Sequence, residues 1–183
     1  MELFKEWLFS GFDTPKEIAA QIFGIIPVII ALFIYAQRTR TKIVILKGCM
    51  DVSQAIHLVL LGKFTAALLS IVATLRNLIF LKNENMGKWR NLILAGFMVF
   101  TILCAIPDFS GPMSLVPVTG SIFALIGFWQ EDVKKLRIYN LVGVLLWFIY
   151  GIYIVSVSSI LIGIMSLISI FAGFIRSAKE EKQ

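Results

Sequence analysis

Two stretches of this chain decide its fold: IIALFIYAQRTRTKIVI, residues 29–45, and IFALIGFWQEDVKKLRI, residues 122–138, which follows 93 positions later. At that offset Ile29 pairs with Ile122, Ala31 with Ala124, Leu32 with Leu125, Gln37 with Gln130, Lys42 with Lys135 and Ile45 with Ile138. Each stretch reads as an apolar helix, a glutamine, a short basic turn and a second helix. Matches of Leu and Ile between two hydrophobic segments carry little information. The shared Gln-to-Lys spacing at one helix boundary carries more. Similarity at a fixed offset is the signature of an internal repeat.

Working outward, the 183 residues are 58% hydrophobic and only 15% charged, with a mean hydropathy of +0.89. Soluble domains are about 45–50% apolar and about 25% charged. A core of this size cannot bury the excess, so an ordinary soluble domain is excluded. The abundance of Leu, Ile, Val and Phe excludes disorder. Lipid must therefore solvate much of the surface. A bilayer core about 30 Å thick needs roughly 20 helical residues. The chain offers seven such spans, at 17–37, 43–61, 64–82, 88–106, 113–129, 135–155 and 157–176. Thr14 caps the first, Pro15 takes its first helical position and Glu17 completes a capping box. Val155-Ser156-Val157-Ser158 is the thinnest boundary, but residues 135–176 are too many for one crossing.

Within residues 1–12, Phe4, Trp7, Leu8 and Phe12 recur at helical spacing, with Glu2 and Glu6 off that stripe and Lys5 at its edge. This reads as a short helix on the membrane surface. The acidic residues and the lack of a basic n-region argue against a removable signal peptide. Cys49 and Cys104 lie in apolar runs with no CxxC or Cys/His cluster, so neither a disulfide framework nor a metal site is expected, and no cofactor motif is present.

The placement of charge orients the spans. Arg38, Arg40, Lys42, Lys82, Lys88, Arg90, Lys134, Lys135, Arg137, Arg176, Lys179 and Lys182 all fall on one side. Lys5, Lys16 and Lys63 fall on the other, and Lys47 and Arg76 lie inside helices, which accounts for all 17 basic residues. Twelve against three is a strong positive-inside bias, placing the N-terminus outside and the C-terminus in the cytoplasm. The formal charge of +6 therefore marks cytoplasmic loops, and nucleic acid is not an expected partner. The expected architecture is all-α and integral to the membrane, with a 3+1+3 plan. Residues 17–82 and 113–178 form two parallel triple-helix repeats, and residues 88–106 form a lone helix that restores the orientation of the second.

Leu115-Val116-Pro117-Val118-Thr119-Gly120-Ser121-Ile122 resembles the YgjV-type bacterial inner-membrane proteins. So do His57-Leu58-Val59-Leu60-Leu61-Gly62 and Ala73-Thr74-Leu75-Arg76-Asn77-Leu78-Ile79. The resemblance spans about residues 17–178. It implies a multi-pass protein of the bacterial inner membrane and, through kinship with SWEET and PQ-loop proteins, two triple-helix bundles. It implies no particular substrate. The Pro-Gln dipeptide of PQ-loop proteins is absent, since Gln37 follows Ala36 and Gln130 follows Trp129.

The second span carries Lys47, Asp51, Ser53, Gln54 and His57. At 100° per residue Lys47, Asp51 and Gln54 fall within about 60°, with His57 at the edge. Ionised groups near a bilayer centre are costly, so this face should meet other helices or water. Asp51 lies roughly 13 Å past Lys42, and Arg76 roughly 9 Å before Lys82. A Lys47–Asp51–Arg76 cluster follows, either an inner gate and anion contact or a neutralised joint between helices. The offset maps Gln54 onto Trp147 and His57 onto Tyr150. With Asn77, Ser166 and Ser169 these residues would frame a small cavity, aromatic on one wall and polar on the other. Each is also explicable as packing. His57 is a candidate proton-coupling residue, because imidazoles titrate near neutral pH, or a helix-to-helix hydrogen-bonding group. Gly24 and Pro27 in the first span, and Pro117 and Gly120 in the fifth, are candidate hinges or static kinks.

The chain therefore reads as a transporter or facilitator of a small polar solute by alternating access. The alternative is a receptor or scaffold that binds a ligand or partner helix without moving it. No nucleotide motif is present, and no paired-carboxylate, Ser/His or metal constellation suggests an enzyme. Membrane lipid is the expected surrounding, and a homodimer is left open.

Overall fold

A computed structural model describes residues 14–60, 64–81, 89–105, 111–153 and 157–180, and within them the chain is all-helical, with no strand. Seven α-helices follow one another: α1 (Pro15–Ile34), α2 (Arg40–Leu60), α3 (Phe64–Phe80), α4 (Arg90–Ala105), α5 (Leu115–Trp129), α6 (Val133–Tyr153) and α7 (Val157–Glu180), with a 3₁₀ turn at Pro112–Ser114. The expected surface helix at 1–12 lies outside the described residues. Helix α1 starts at Pro15, and the Ile18 N–H bonds to Thr14 O at 3.0 Å. The sixth helix is described to Tyr153 and the seventh from Val157, and the boundary expected at Val155–Ser158 falls partly outside the described residues. Helices α2, α6 and α7 are long and apolar enough to cross a membrane. The apolar stretches Ile18–Ile34, Ala67–Phe80, Asn91–Cys104 and Leu115–Trp129 are shorter.

The helices form a ring. α1 packs on α2 and α2 on α3; α5 packs on α6 and α6 on α7; α7 returns to α1, while α3 meets α5 narrowly. α4 rests mainly on α5 and is otherwise peripheral. Helices α1, α2, α3, α6 and α7 each present an exposed apolar stripe at helical spacing. Examples are Ile18, Ile22, Ile25 and Ile29 on α1, Ile45, Val52, Ile56 and Val59 on α2, and Ile138, Leu145, Ile149 and Ile152 on α6. Continuous apolar area of this extent belongs against acyl chains, not water.

Packing density differs between the two ends of the ring. The helix ends at Arg38–Lys42, Val133–Arg137 and Arg176–Lys179 share one side, here termed the basic end. The largest fully buried side chains, including Arg137, Tyr35, Phe80, Phe128, Leu136 and Asn77, all lie in the half nearer that end. Phe80 meets Trp129 edge-on at 4.7 Å and Phe97 at 5.7 Å, and Tyr35 stacks on Phe128 at 6.4 Å. Toward the far end the close contacts are made by small residues. A Cβ on Gly163 would lie 2.7 Å from Phe148, and one on Gly151 3.0 Å from Ser159. Small residues let helix backbones approach where lipid supplies no hydrophobic drive between helices.

Candidate functional site

Near the midpoint of α2 a buried polar chain links α2 to α3. Lys47 Nζ pairs with Asp51 Oδ1 one turn on. Asn77 Nδ2 donates to Asp51 Oδ2 at 2.9 Å. Arg76 Nε and Nη2 both donate to Asn77 Oδ1, at 3.3 and 3.1 Å. The Arg76 guanidinium also lies 5.4 Å from the centre of the Phe128 ring on α5. Asp51 is 5% exposed, Arg76 6% and Asn77 1%. The sequence suggests that Arg76 meets Asp51 directly. Instead the Asn77 amide stands between them, and among the described residues Arg76 makes no ion pair. The reason is geometric: the shorter Asn77 reaches the carboxylate first, which leaves the longer Arg76 to extend toward α5. Lys47, Asp51 and Arg76 together carry one uncompensated positive charge. Charged groups at this depth cost at least about 2.5–3.5 kcal/mol each on insertion scales.

The Asn77 amide serves a carboxylate and a guanidinium at once. The substitution Asn77→Leu is expected to destabilise the protein by about 1.5–3 kcal/mol, the range for hydrogen bonds to charged groups. Thermal unfolding in detergent measures it, and an unchanged midpoint would show that the relay is idle.

A second polar network closes the basic end. A helix terminus leaves its last carbonyls without partners. Here the carbonyls at the ends of α1 and α5 are taken by arginines from across the ring. Arg137 on α6 donates from Nε to Tyr35 O at 3.0 Å and from Nη2 to Gln37 O at 2.8 Å, and its Nη1 bonds Ser177 Oγ at 2.6 Å. Arg40 on α2 donates from Nε to Gln130 O at 2.7 Å and from Nη2 to Phe128 O at 2.9 Å and Phe80 O at 2.6 Å. Each half thus caps the first helix of the other. Arg176 adds a bond to Ala36 O at 2.8 Å, and Ser169 Oγ accepts the Tyr35 and Ala36 N–H groups at 2.9 and 3.0 Å. Tyr35 Oη donates to Asn140 Oδ1 at 3.1 Å. A cation at a helix C-terminus also complements the helix dipole.

These closing residues were not legible beforehand. Backbone acceptors have no sequence signature, and Arg40 and Arg137 read simply as loop charges. One signal was available: the acceptors Tyr35 and Phe128, and Gln37 and Gln130, each stand 93 positions apart. The donors do not match, because the offset carries Arg40 to Val133, one turn before Arg137.

The solute-facing candidates occupy several places. Gln54 lies on the face of α2 opposite the exposed stripe, and its Oε1 is buried without a hydrogen-bond partner. His57 Nδ1 donates to Ala20 O at 2.6 Å, so its ring is turned toward α1. Trp147 and Tyr150 meet edge-on at 6.1 Å. Trp147 lies about 140–180° around α6 from its exposed stripe and about 20° from Asn140. It is nevertheless 40% exposed, whereas Asn140 is 1% exposed. That exposure lies on the side of α6 turned away from its apolar stripe, where Trp147 Cδ1 packs beside Gly120 of α5. Ser166 and Ser169 are both buried, and Ser169 is committed to the α1 terminus rather than to that space. Asn77 is committed to Asp51. Of the hinge candidates, Pro27 is buried and Pro117 half-buried. Gly24 and Gly120 are points of close approach, since an added Cβ would lie 2.9 Å from the His57 ring and 3.0 Å from Trp147 Cδ1. Among the described residues no three His, Cys, Asp or Glu side chains gather to hold a metal.

No curated protein and no solved structure matches the chain. The sequence pattern of one family, described as bacterial inner membrane protein, matches residues 18–181, which takes in all seven helices but the first turn of α1. With its lipid-facing stripes and spanning helices, the chain thus belongs to the Imp-YgjV family of bacterial inner membrane proteins.

Proposed function

We propose that the chain carries or facilitates the passage of a small polar solute across the inner membrane, with the path inside the helix ring. The observation that carries this reading is a polar interior whose basic end is closed. The basic end is sealed by aromatic packing and by arginines on carbonyls. Further along, Trp147 is 40% exposed on the face of α6 turned away from the apolar stripe, and the path is read as passing there. Charge bias makes the sealed end cytoplasmic. In this reading all seven helices span the bilayer, and α1–α3 and α5–α7 are parallel triple-helix units related in the SWEET-like manner, with α4 as linker. The ring supports it, because its neighbour relations survive exchange of the two sets. The 93-residue spacing of the capped carbonyls supports it too. Alternating access then amounts to releasing the arginines and rocking one unit against the other.

Purified protein in liposomes tests the reading by counterflow of a small-solute panel. Flux that depends on the protein supports a carrier. Binding without flux overturns it in favour of a receptor. The seal has its own test, in a background with Cys49 and Cys104 replaced by serine. Arg40→Ala with Arg137→Ala should raise cytoplasmic-side labelling of a Ser166→Cys thiol by about tenfold or more. That factor corresponds to the loss of about 1.4 kcal/mol from the closed state, within the range for orphaned buried carbonyls. Unchanged labelling would remove the arginines from the gate.

A further inference from the structure

Arg76 differs from the other buried arginines. Arg40 and Arg137 each spread their N–H groups over several backbone carbonyls at a helix end. Arg76 lies within α3 and offers five donors to a single oxygen, Asn77 Oδ1, which two of them share. Each oxygen of the nearby carboxylate already has a partner, Oδ1 of Asp51 on Lys47 and Oδ2 on Asn77. Arg76 is 6% exposed, so solvent does not neutralise it. One turn toward the far end of α2 stands the complementary deficit: Gln54 Oε1, a buried acceptor with no donor. Trp147 of α6, on the face turned away from that helix's apolar stripe, is 40% exposed.

We infer that this interior binds a small carboxylate bearing a hydroxyl group, with the carboxylate on the Arg76 guanidinium and the hydroxyl donating to Gln54 Oε1. The inference rests on the carrier reading for its route of entry, not for its chemistry. A guanidinium matches a carboxylate as a planar fork and forms the stronger class of hydrogen bond with it. A monoanion balances the single excess charge of Lys47, Asp51 and Arg76. A zwitterion would leave it unbalanced, and a neutral sugar would leave it unmet. The hydroxyl requirement follows from the orphan acceptor, since a buried acceptor discriminates against an analogue that lacks the donor. The indole of Trp147 supplies an apolar face for the carbon skeleton.

The test uses the full chain in nanodiscs of zwitterionic lipid, with lactate, acetate, lactamide and inorganic phosphate as probes of thermal stability. Lactate should raise the unfolding midpoint with saturation, acetate should act more weakly, and lactamide should do nothing. Arg76→Gln should weaken lactate binding by about tenfold or more while Arg76→Lys retains part of it, and Gln54→Leu should reduce lactate to the level of acetate. A response to lactamide equal to lactate overturns the inference, and so does an unchanged response in Arg76→Gln or no response to lactate. The comparison of lactate with lactamide is made on the unaltered chain, so it decides even where Arg76→Gln fails to fold. Phosphate acting in place of lactate, or a shift seen only when phosphatidylglycerol is added, overturns it in favour of a phosphate or a lipid headgroup. Lactate binding without counterflow upholds the anion site and defeats the carrier reading. Counterflow of neutral solutes untouched by Arg76→Gln does the reverse.

Discussion

Gly173→Val is expected to abolish recovery of folded protein. A Cβ at Gly173 would sit 2.2 Å from Tyr35 O and 2.6 Å from Arg137 Nε. The first of these is backbone, so no side-chain rotation relieves the clash. Helix α7 would have to move away from α1. That motion would strip Ser169 from the Tyr35 and Ala36 amides and Arg137 from the Tyr35 and Gln37 carbonyls. Overpacking alone costs about 1–3 kcal/mol. Each buried backbone group left without a partner adds about 1–3 kcal/mol. The total reaches the scale of a whole domain's stability. Size-exclusion chromatography of the detergent-solubilised protein reads the outcome. Gly96→Val is the control, because nothing lies within 4 Å of a Cβ there and Gly96 is on a peripheral helix. A monodisperse Gly173→Val protein with near-native stability would mean that the α1–α7 contact is looser than described.

Asp51→Leu should have the second-largest effect, a destabilisation of about 3–5 kcal/mol. Removing one partner of a buried pair costs that much because the remaining charge is stranded. Here two cations would be stranded, Lys47 directly and Arg76 through Asn77. Adding Lys47→Met to Asp51→Leu removes one of them and should recover much of the loss, since an apolar replacement for a buried pair is often neutral. A double variant no better than the single one would show that Asp51 matters through Asn77 alone. Unfolding midpoints of the three proteins decide between these outcomes.

How much was legible depended on the reach of each interaction. The helices were readable because a bilayer imposes a length and an apolar composition on every span. The Lys47–Asp51 pair was readable because residues four apart share a helix face. The approach of α3 to this pair was half readable: a tight connection brings Arg76 near Asp51, but which of the adjacent Arg76 and Asn77 makes the bond depends on side-chain length and helix rotation. The closing network was not readable. Its acceptors are carbonyls, and Ser169, a solute-contact candidate by its place on the last helix, turned out to cap the end of α1. The close approaches at Gly24 and Gly120 likewise depend on which side chain, His57 or Trp147, the neighbouring helix presents.

Amino-acid order alone determined that this chain belongs in lipid, that it is built of seven apolar helices at about these places, and which end of the assembly collects positive charge. Those properties follow from local composition and from the one-dimensional spacing of polar and apolar residues. Only the tertiary structure decided that the helices close into a ring, that arginines from each half seal the other half's first helix, and that Arg76 reaches Asp51 only through Asn77. Those depend on backbone carbonyls and on the rotation of each helix about its axis. Both are set by the sum of many weak packing contacts, and no single stretch of sequence records them.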